Sequence, residues 1–129
     1  MTSRKIRVLH VDDSAVERRL FALLIRMESD LELAAGVADT TGLAEAVRAT
    51  RPDVLVLDLG LTVSDPLAAI RDVRQGFPDL GILVYSGYGD PETIAAARAA
   101  GATDYVVKAT EIQTLVAAIR RAAARERSA

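Results

Sequence analysis

The chain has 129 residues, 50% of them apolar and 26% charged, which fits a single domain built around one continuous core. Sixteen basic against eighteen acidic residues leave a net charge of −2, which gives no electrostatic footprint for a nucleic acid backbone, so direct nucleic acid binding by this chain is not expected. Without cysteine there are no disulfides or thiolate metal sites, and without a membrane-length apolar run or a signal-peptide core the expectation is a soluble cytoplasmic protein with no membrane attachment.

In chain order, the apolar run at 6–11 reads as a strand and the segment at 15–29 as a helix, with Ser14 placed to cap it. In that helix Val16, Leu20, Leu23, Leu24 and Met27 recur at three- and four-residue steps, and they are expected to form its buried face. A strand at 33–37 leads to a helix at 42–50 with Thr41 as its cap. A strand at 54–57 precedes a helix at 67–77 opened by Asp65 and Pro66. The fourth strand, 82–85, is followed by a helix at 92–100 with Pro91 at its start and Gly101 at its end, and the fifth strand, 105–107, by a helix at 111–125. The whole chain, 1–129, is thus expected to form one domain of five βα units. Strands apolar nearly throughout suit a parallel sheet covered on both faces through right-handed crossovers. The expected fold is α/β, a flavodoxin-like doubly wound five-stranded sheet of order 2-1-3-4-5.

All strand C-termini of such a sheet open at one rim, with a crevice at the switch point between the first and third strands. Asp12 and Asp13 end the first strand there, Asp58 the third, Ser86 the fourth and Lys108 the fifth. Two carboxylates ~4 Å apart repel by roughly 4 kcal/mol at an effective dielectric of ~20, so three on one rim call for a positive partner. A hard divalent cation answers this. Mg²⁺ takes oxygen ligands and keeps waters that a phosphate oxygen can replace. Of the basic residues only Lys5 and Lys108 are lysines, and an ammonium at 108 can approach one oxygen as a point charge. Taken singly, Asp12 and Asp13 also read as turn or cap residues and Ser86 as ordinary loop composition, so the weight rests on their convergence. His10, within "VLHV", reads as a core strand residue.

The acidic pair "DD", the "LDL" around Asp58, the "SG" at Ser86 and Gly87, and "GATDYVVK" ending in Lys108 together resemble the CheY-like response-regulator receiver domain of two-component signalling, over essentially the whole chain. The resemblance implies that Asp58 accepts a phosphoryl group from the phosphohistidine of a sensor histidine kinase or phosphotransfer protein. It implies that Asp13, Asp58 and the Gly60 carbonyl bind Mg²⁺, with Asp12 assisting through water. Lys108, the Ser86 hydroxyl and the backbone N–H groups of Gly60 and Gly87 are then expected to neutralise the phosphoryl oxygens. Ser86 and Tyr105 form the implied switch, and its output surface is the fourth helix, fifth strand and fifth helix, where a second copy or a target protein would bind. Tyr88 and Gly60, two residues beyond Ser86 and Asp58, are positioned to control water access. Such a domain promotes its own phosphorylation and dephosphorylation but is not a turnover enzyme.

Two departures stand out. Receivers commonly carry proline after the active-site lysine, where this chain has Ala109, so that bond is expected to be trans with Lys108 aimed somewhat differently. Thr62 and Pro66, in "LGLTVSDPL", stand where the family usually has proline and glycine, which makes the loop 61–66 atypical and bears on rates more than on capacity. Rival readings are a receiver-like interaction module independent of phosphorylation, a Mg²⁺-dependent phosphohydrolase and a flavin-binding protein. The second generally has an acid two residues after its nucleophile, where Gly60 stands, and the third needs a phosphate-binding loop after the first strand that is missing here.

Overall fold

The computed structural model describes residues 4–61 and 65–128, with side chains through 124. The elements are β1 (Ile6–Val11), α1 (Ala15–Arg26), β2 (Leu31–Val37), α2 (Leu43–Thr50), β3 (Val54–Leu57), α3 (Pro66–Gly76), β4 (Gly81–Ser86), α4 (Pro91–Ala100), β5 (Asp104–Val107) and α5 (Ile112–Ser128). All four strand pairs are parallel and the order is β2-β1-β3-β4-β5, as expected from the alternation of apolar strands with helices. Bounds differ from the sequence reading by up to three residues, most at the ends of α1 and α5. Of the atypical loop, Thr62 lies outside the described residues.

The period of two along each strand divides the core into two layers. Val54 and Val56 of β3 face α1 and α5, and Leu55 and Leu57 face α2, α3 and α4. Fully burying a side chain of this size stabilises by roughly 1.5–3 kcal/mol. Where α5 crosses β4 the backbones nearly touch: a Cβ on Gly81 would lie 2.8 Å from the Ala122 carbonyl oxygen, so only glycine fits.

Most helix starts follow the sequence signals. Ser14 Oγ accepts from the Glu17 N–H, an Asp65 oxygen from Ala68 with Pro66 in the first turn, and an Asp90 oxygen from Thr93 with Pro91 likewise placed. Gly101, at φ +126°, ends α4. Thr41 does not cap α2. The capping position is Gly42, in the left-handed region at φ 66°, and the Thr41 N–H instead donates to Asp39 Oδ1 at 2.8 Å in a turn of its own.

The buried face of α1 is also not the one expected. Phe21 and Ile25 are buried and Leu24 is half-buried against the same layer, while Val16, Leu20, Leu23 and Met27 are exposed. The helix carries two apolar stripes. Because α5 occupies the neighbouring part of that sheet face, packing on β3, β4 and β5, α1 meets the sheet with one stripe, and among the described residues no layer covers the other.

Candidate functional site

Backbone pairing continues one step past the strand ends and sets the site residues on the rim. The Asp12 N–H donates to the Val37 carbonyl (3.0 Å), the Asp58 N–H to Val11 (3.0 Å) and the Lys108 N–H to Ser86 (2.8 Å). Side chains from three different strands are thereby held at a common height, at the crevice between β1 and β3.

One carboxylate oxygen from each of Asp12, Asp13 and Asp58 lies within 4.8 Å of the other two. Asp12 is 1% exposed and Asp58 9%, whereas Asp13 is open to solvent, so the cluster has a buried wall and an accessible side. An all-oxygen set of this size and charge can hold a hard divalent cation such as Mg²⁺. The Lys108 ammonium joins it, 3.0 Å from Asp12 Oδ2 and 3.3 Å from Asp58 Oδ2. Burial works against the Lys108 charge, but hydrogen bonding to Asp12 and the charges of Asp58, Asp12 and Glu17 outweigh it and hold the pKa above its usual value. The described chain has no cis peptide bond, so the bond before Ala109 is trans as expected, and Lys108 still reaches Asp58.

The remaining acceptor capacity is partly taken by the chain itself. The Gly60 N–H donates to Asp58 Oδ1 (3.0 Å) and the Ser14 N–H to Asp12 Oδ1 (3.0 Å). A Cβ on Gly60 would lie 3.5 Å from both Asp58 oxygens, so any side chain at this position stands over the carboxylate. Ser86 is completely buried, and its Oγ accepts from the Tyr88 N–H at 3.3 Å. Tyr105 donates its hydroxyl to the Tyr88 carbonyl, and burial pushes its phenol pKa up. Ser86, Tyr88 and Tyr105 thus form a second bonded group beside the acidic one. Gly87, between Ser86 and Tyr88, is exposed on the same rim.

Three further residues touch the site. Glu17 lies 4.0 Å from the Lys108 ammonium, Arg18 donates to the Asp12 carbonyl at 2.7 Å, and the Tyr85 ring sits 5.6 Å from Lys108 Nζ in cation–π range. In the sequence Glu17 and Arg18 read as the polar side of an amphipathic helix, and their only signal is membership of the first turn after the acidic pair. His10, two residues upstream, is buried and stacks on Phe21 at 3.9 Å. Burial lowers its pKa to about 4, so it is a neutral core residue.

A family model described as the response regulator receiver domain matches residues 8–120. The chain is similar to the oxygen regulatory protein NreC of Staphylococcus epidermidis, with 31% identity over 116 residues, covering 89% of this chain and 53% of the relative. It spans about half the length of the curated relatives it matches. Among solved structures, a LuxR-family two-component response regulator from Aurantimonas sp. SI85-9A1 superposes with a TM-score of 0.87 at 30% identity, over 93% of this chain and 86% of that one. The response regulator domain of Thermotoga maritima CheB superposes with a TM-score of 0.83 at 25% identity, over 94% and 98%. With the rim geometry, the sheet order and the family match in agreement, the chain belongs to the response regulator receiver domains of two-component signalling.

Proposed function

We propose that Asp58 is the residue phosphorylated in this receiver, the donor being the phosphohistidine of a sensor histidine kinase or phosphotransfer protein. The observation that carries this reading is the position of Lys108, whose ammonium stands 3.3 Å from Asp58 Oδ2 beside a cluster of three carboxylates at the open end of the sheet. Phosphoryl transfer asks a protein mainly for positioning and charge neutralisation. A point charge on a flexible stem can follow the acceptor oxygen as the phosphoryl group arrives, and the Gly60 N–H already donates to the other Asp58 oxygen. The exposed Gly87 N–H and the Ser86 hydroxyl are the further donors on that rim. Asp13, Asp58 and the Gly60 carbonyl would hold Mg²⁺, with Asp12 acting through water, and the ion when bound supplies positive charge against the phosphoryl oxygens.

The same bonds support a switch. Turning the Ser86 hydroxyl towards a phosphoryl group gives up its bond from the Tyr88 N–H, and Tyr88 is also the residue whose carbonyl holds Tyr105. Phosphorylation adds about −1.5 to −2 charge at one point and biases two packings of this loop against β5. The change reaches the surface on α4, β5 and α5, which presents it to a target protein. The domain promotes the gain and loss of its own phosphoryl group in the cytoplasm and turns over no external substrate.

Incubation with acetyl phosphate and Mg²⁺, followed by intact-mass measurement, is expected to add one phosphoryl group, and Asp58→Asn to remove that addition. An unmodified wild-type chain, or an Asp58→Asn chain modified to the same extent, overturns the assignment and leaves the phosphorylation-independent module.

A further inference from the structure

The Lys108 ammonium has acidic neighbours from three separate segments. Asp12 and Asp58 hold it at 3.0 and 3.3 Å, and the Glu17 carboxylate of α1 lies 4.0 Å away. The Tyr85 ring of β4 meets the same ammonium at 5.6 Å, so Glu17 and Tyr85 together offer it a carboxylate and an aromatic face. Among the described residues Lys108 is the only cation within 4.0 Å of the Glu17 carboxylate. Glu17 is set in place by the rim itself. The Ser14 N–H donates to Asp12 Oδ1 (3.0 Å), the Glu17 N–H to Ser14 Oγ (3.2 Å), and Arg18 to the Asp12 carbonyl (2.7 Å), which fixes the first turn of α1 relative to the acidic cluster. Lys108 is anchored differently. Its backbone N–H is held by the Ser86 carbonyl, while its side chain is 22% exposed and swings on a flexible stem.

A divalent cation seated on Asp13 and Asp58 repels this ammonium at a range too short for salt to screen. Glu17 is the acid beside Lys108 that stands outside the metal cluster. We propose that Glu17, with the Tyr85 ring, forms a second seat for the Lys108 ammonium, taken up when the divalent cation enters and given up when a phosphoryl group adds negative charge at Asp58. Glu17 is then a positioning residue, acting on metal binding and on transfer only through Lys108. The inference rests on the reading of Asp58 as the phosphorylated residue and of the acidic cluster as its Mg²⁺ site.

The seat stabilises the metal-loaded ground state, in which Lys108 occupies it, and not the transition state, in which Lys108 has returned to the transferring group. Glu17→Gln removes the charge at a half-exposed position and leaves the backbone cap intact, so a folded chain by circular dichroism is expected. In this variant Mg²⁺ binding by calorimetry is expected to weaken about threefold, the scale of one partly exposed ion pair. Phosphorylation by acetyl phosphate at saturating Mg²⁺ is expected to speed up by a similar factor, because the ground state alone has lost an interaction. In a Lys108→Met chain, which has no ammonium to seat, Glu17→Gln is expected to have no further effect on Mg²⁺ binding. Unchanged Mg²⁺ binding in the single variant, a lowered rate at saturating Mg²⁺, or equal weakening in the Lys108→Met chain overturns the proposal, the last because Glu17 would then attract the ion directly. The calorimetry uses no phosphoryl donor. A wild-type chain that binds no Mg²⁺ therefore overturns the reading of the site and this proposal together, whereas one that binds Mg²⁺ and ignores Glu17→Gln overturns the seat alone.

Discussion

The Lys108 ammonium lies closer to Asp12, at 3.0 Å, than to Asp58, at 3.3 Å. A single positive charge therefore serves two carboxylates of the cluster, and any cation entering the cluster shares those carboxylates with it. Lys108→Met is expected to tighten Mg²⁺ binding several-fold by calorimetry, while slowing phosphorylation by acetyl phosphate about a hundredfold, the scale of losing one preorganised charge stabiliser. The opposite directions are diagnostic, because a misfolded variant would lose both.

Water access to the phosphorylated carboxylate should be set by the residues that overhang it. Gly60 has no positive φ and a Cβ there makes only ordinary contact with Asp58, so Gly60→Asn is expected to fold and to slow spontaneous phosphoryl loss several-fold. The exposed Tyr88 ring is the complementary element, and Tyr88→Ala is expected to speed the loss. Intact-mass time courses after removal of the donor measure both; unchanged decay in the two variants would discard the idea.

His10 carries a cost that its surroundings do not offset. Its Nδ1 is buried without a hydrogen-bond partner among the described residues, although the ring stacks on Phe21 with an interplanar angle of 18°. His10→Phe keeps the stack and removes the unsatisfied nitrogen, and is expected to raise unfolding free energy by about 1 kcal/mol in urea titrations. A fall in stability would mean that the ring nitrogens are satisfied in solution, by water entering from the neighbouring cleft.

The Asp30–Arg120 pair ties α5 to the turn before β2, with guanidinium contacts of 2.9 and 3.0 Å. Hydrogen bonding from Arg120 holds the Asp30 pKa below its usual value. The folded state binds this proton less readily than the unfolded one, so the pair's contribution is complete above the ordinary carboxylate range and is lost as pH falls through the lowered pKa. In Arg120→Ala the Asp30 carboxyl is expected to titrate at its ordinary value, measured by NMR of the side-chain carbon. An unmoved midpoint would place the cause elsewhere.

Much of this architecture was legible because it is local. Short runs apolar nearly throughout marked the strands, Ser14, Asp65 and Gly101 marked helix ends, and the strand order followed from alternation and handedness. Asp12, Asp13, Asp58 and Lys108 could be placed on one rim because every strand of a parallel sheet ends on the same side. The errors have an equally physical origin. Thr41 has a capping side chain, but Asp39 takes its backbone into a turn and hands the cap to Gly42. For α1, helical periodicity identified apolar stripes without saying which one the sheet would meet.

The order of residues by itself thus determined the fold and the identity of the rim residues, because strand pattern, caps and crossover handedness depend on neighbours in sequence. Only the folded chain decided that Lys108 leans on Asp12 as well as Asp58, that Ser86 and Tyr105 are joined through Tyr88, and that the Val16–Met27 stripe faces solvent. Those outcomes depend on distances between segments far apart in the chain and on the room that α5 leaves beside α1, which no single stretch of sequence encodes.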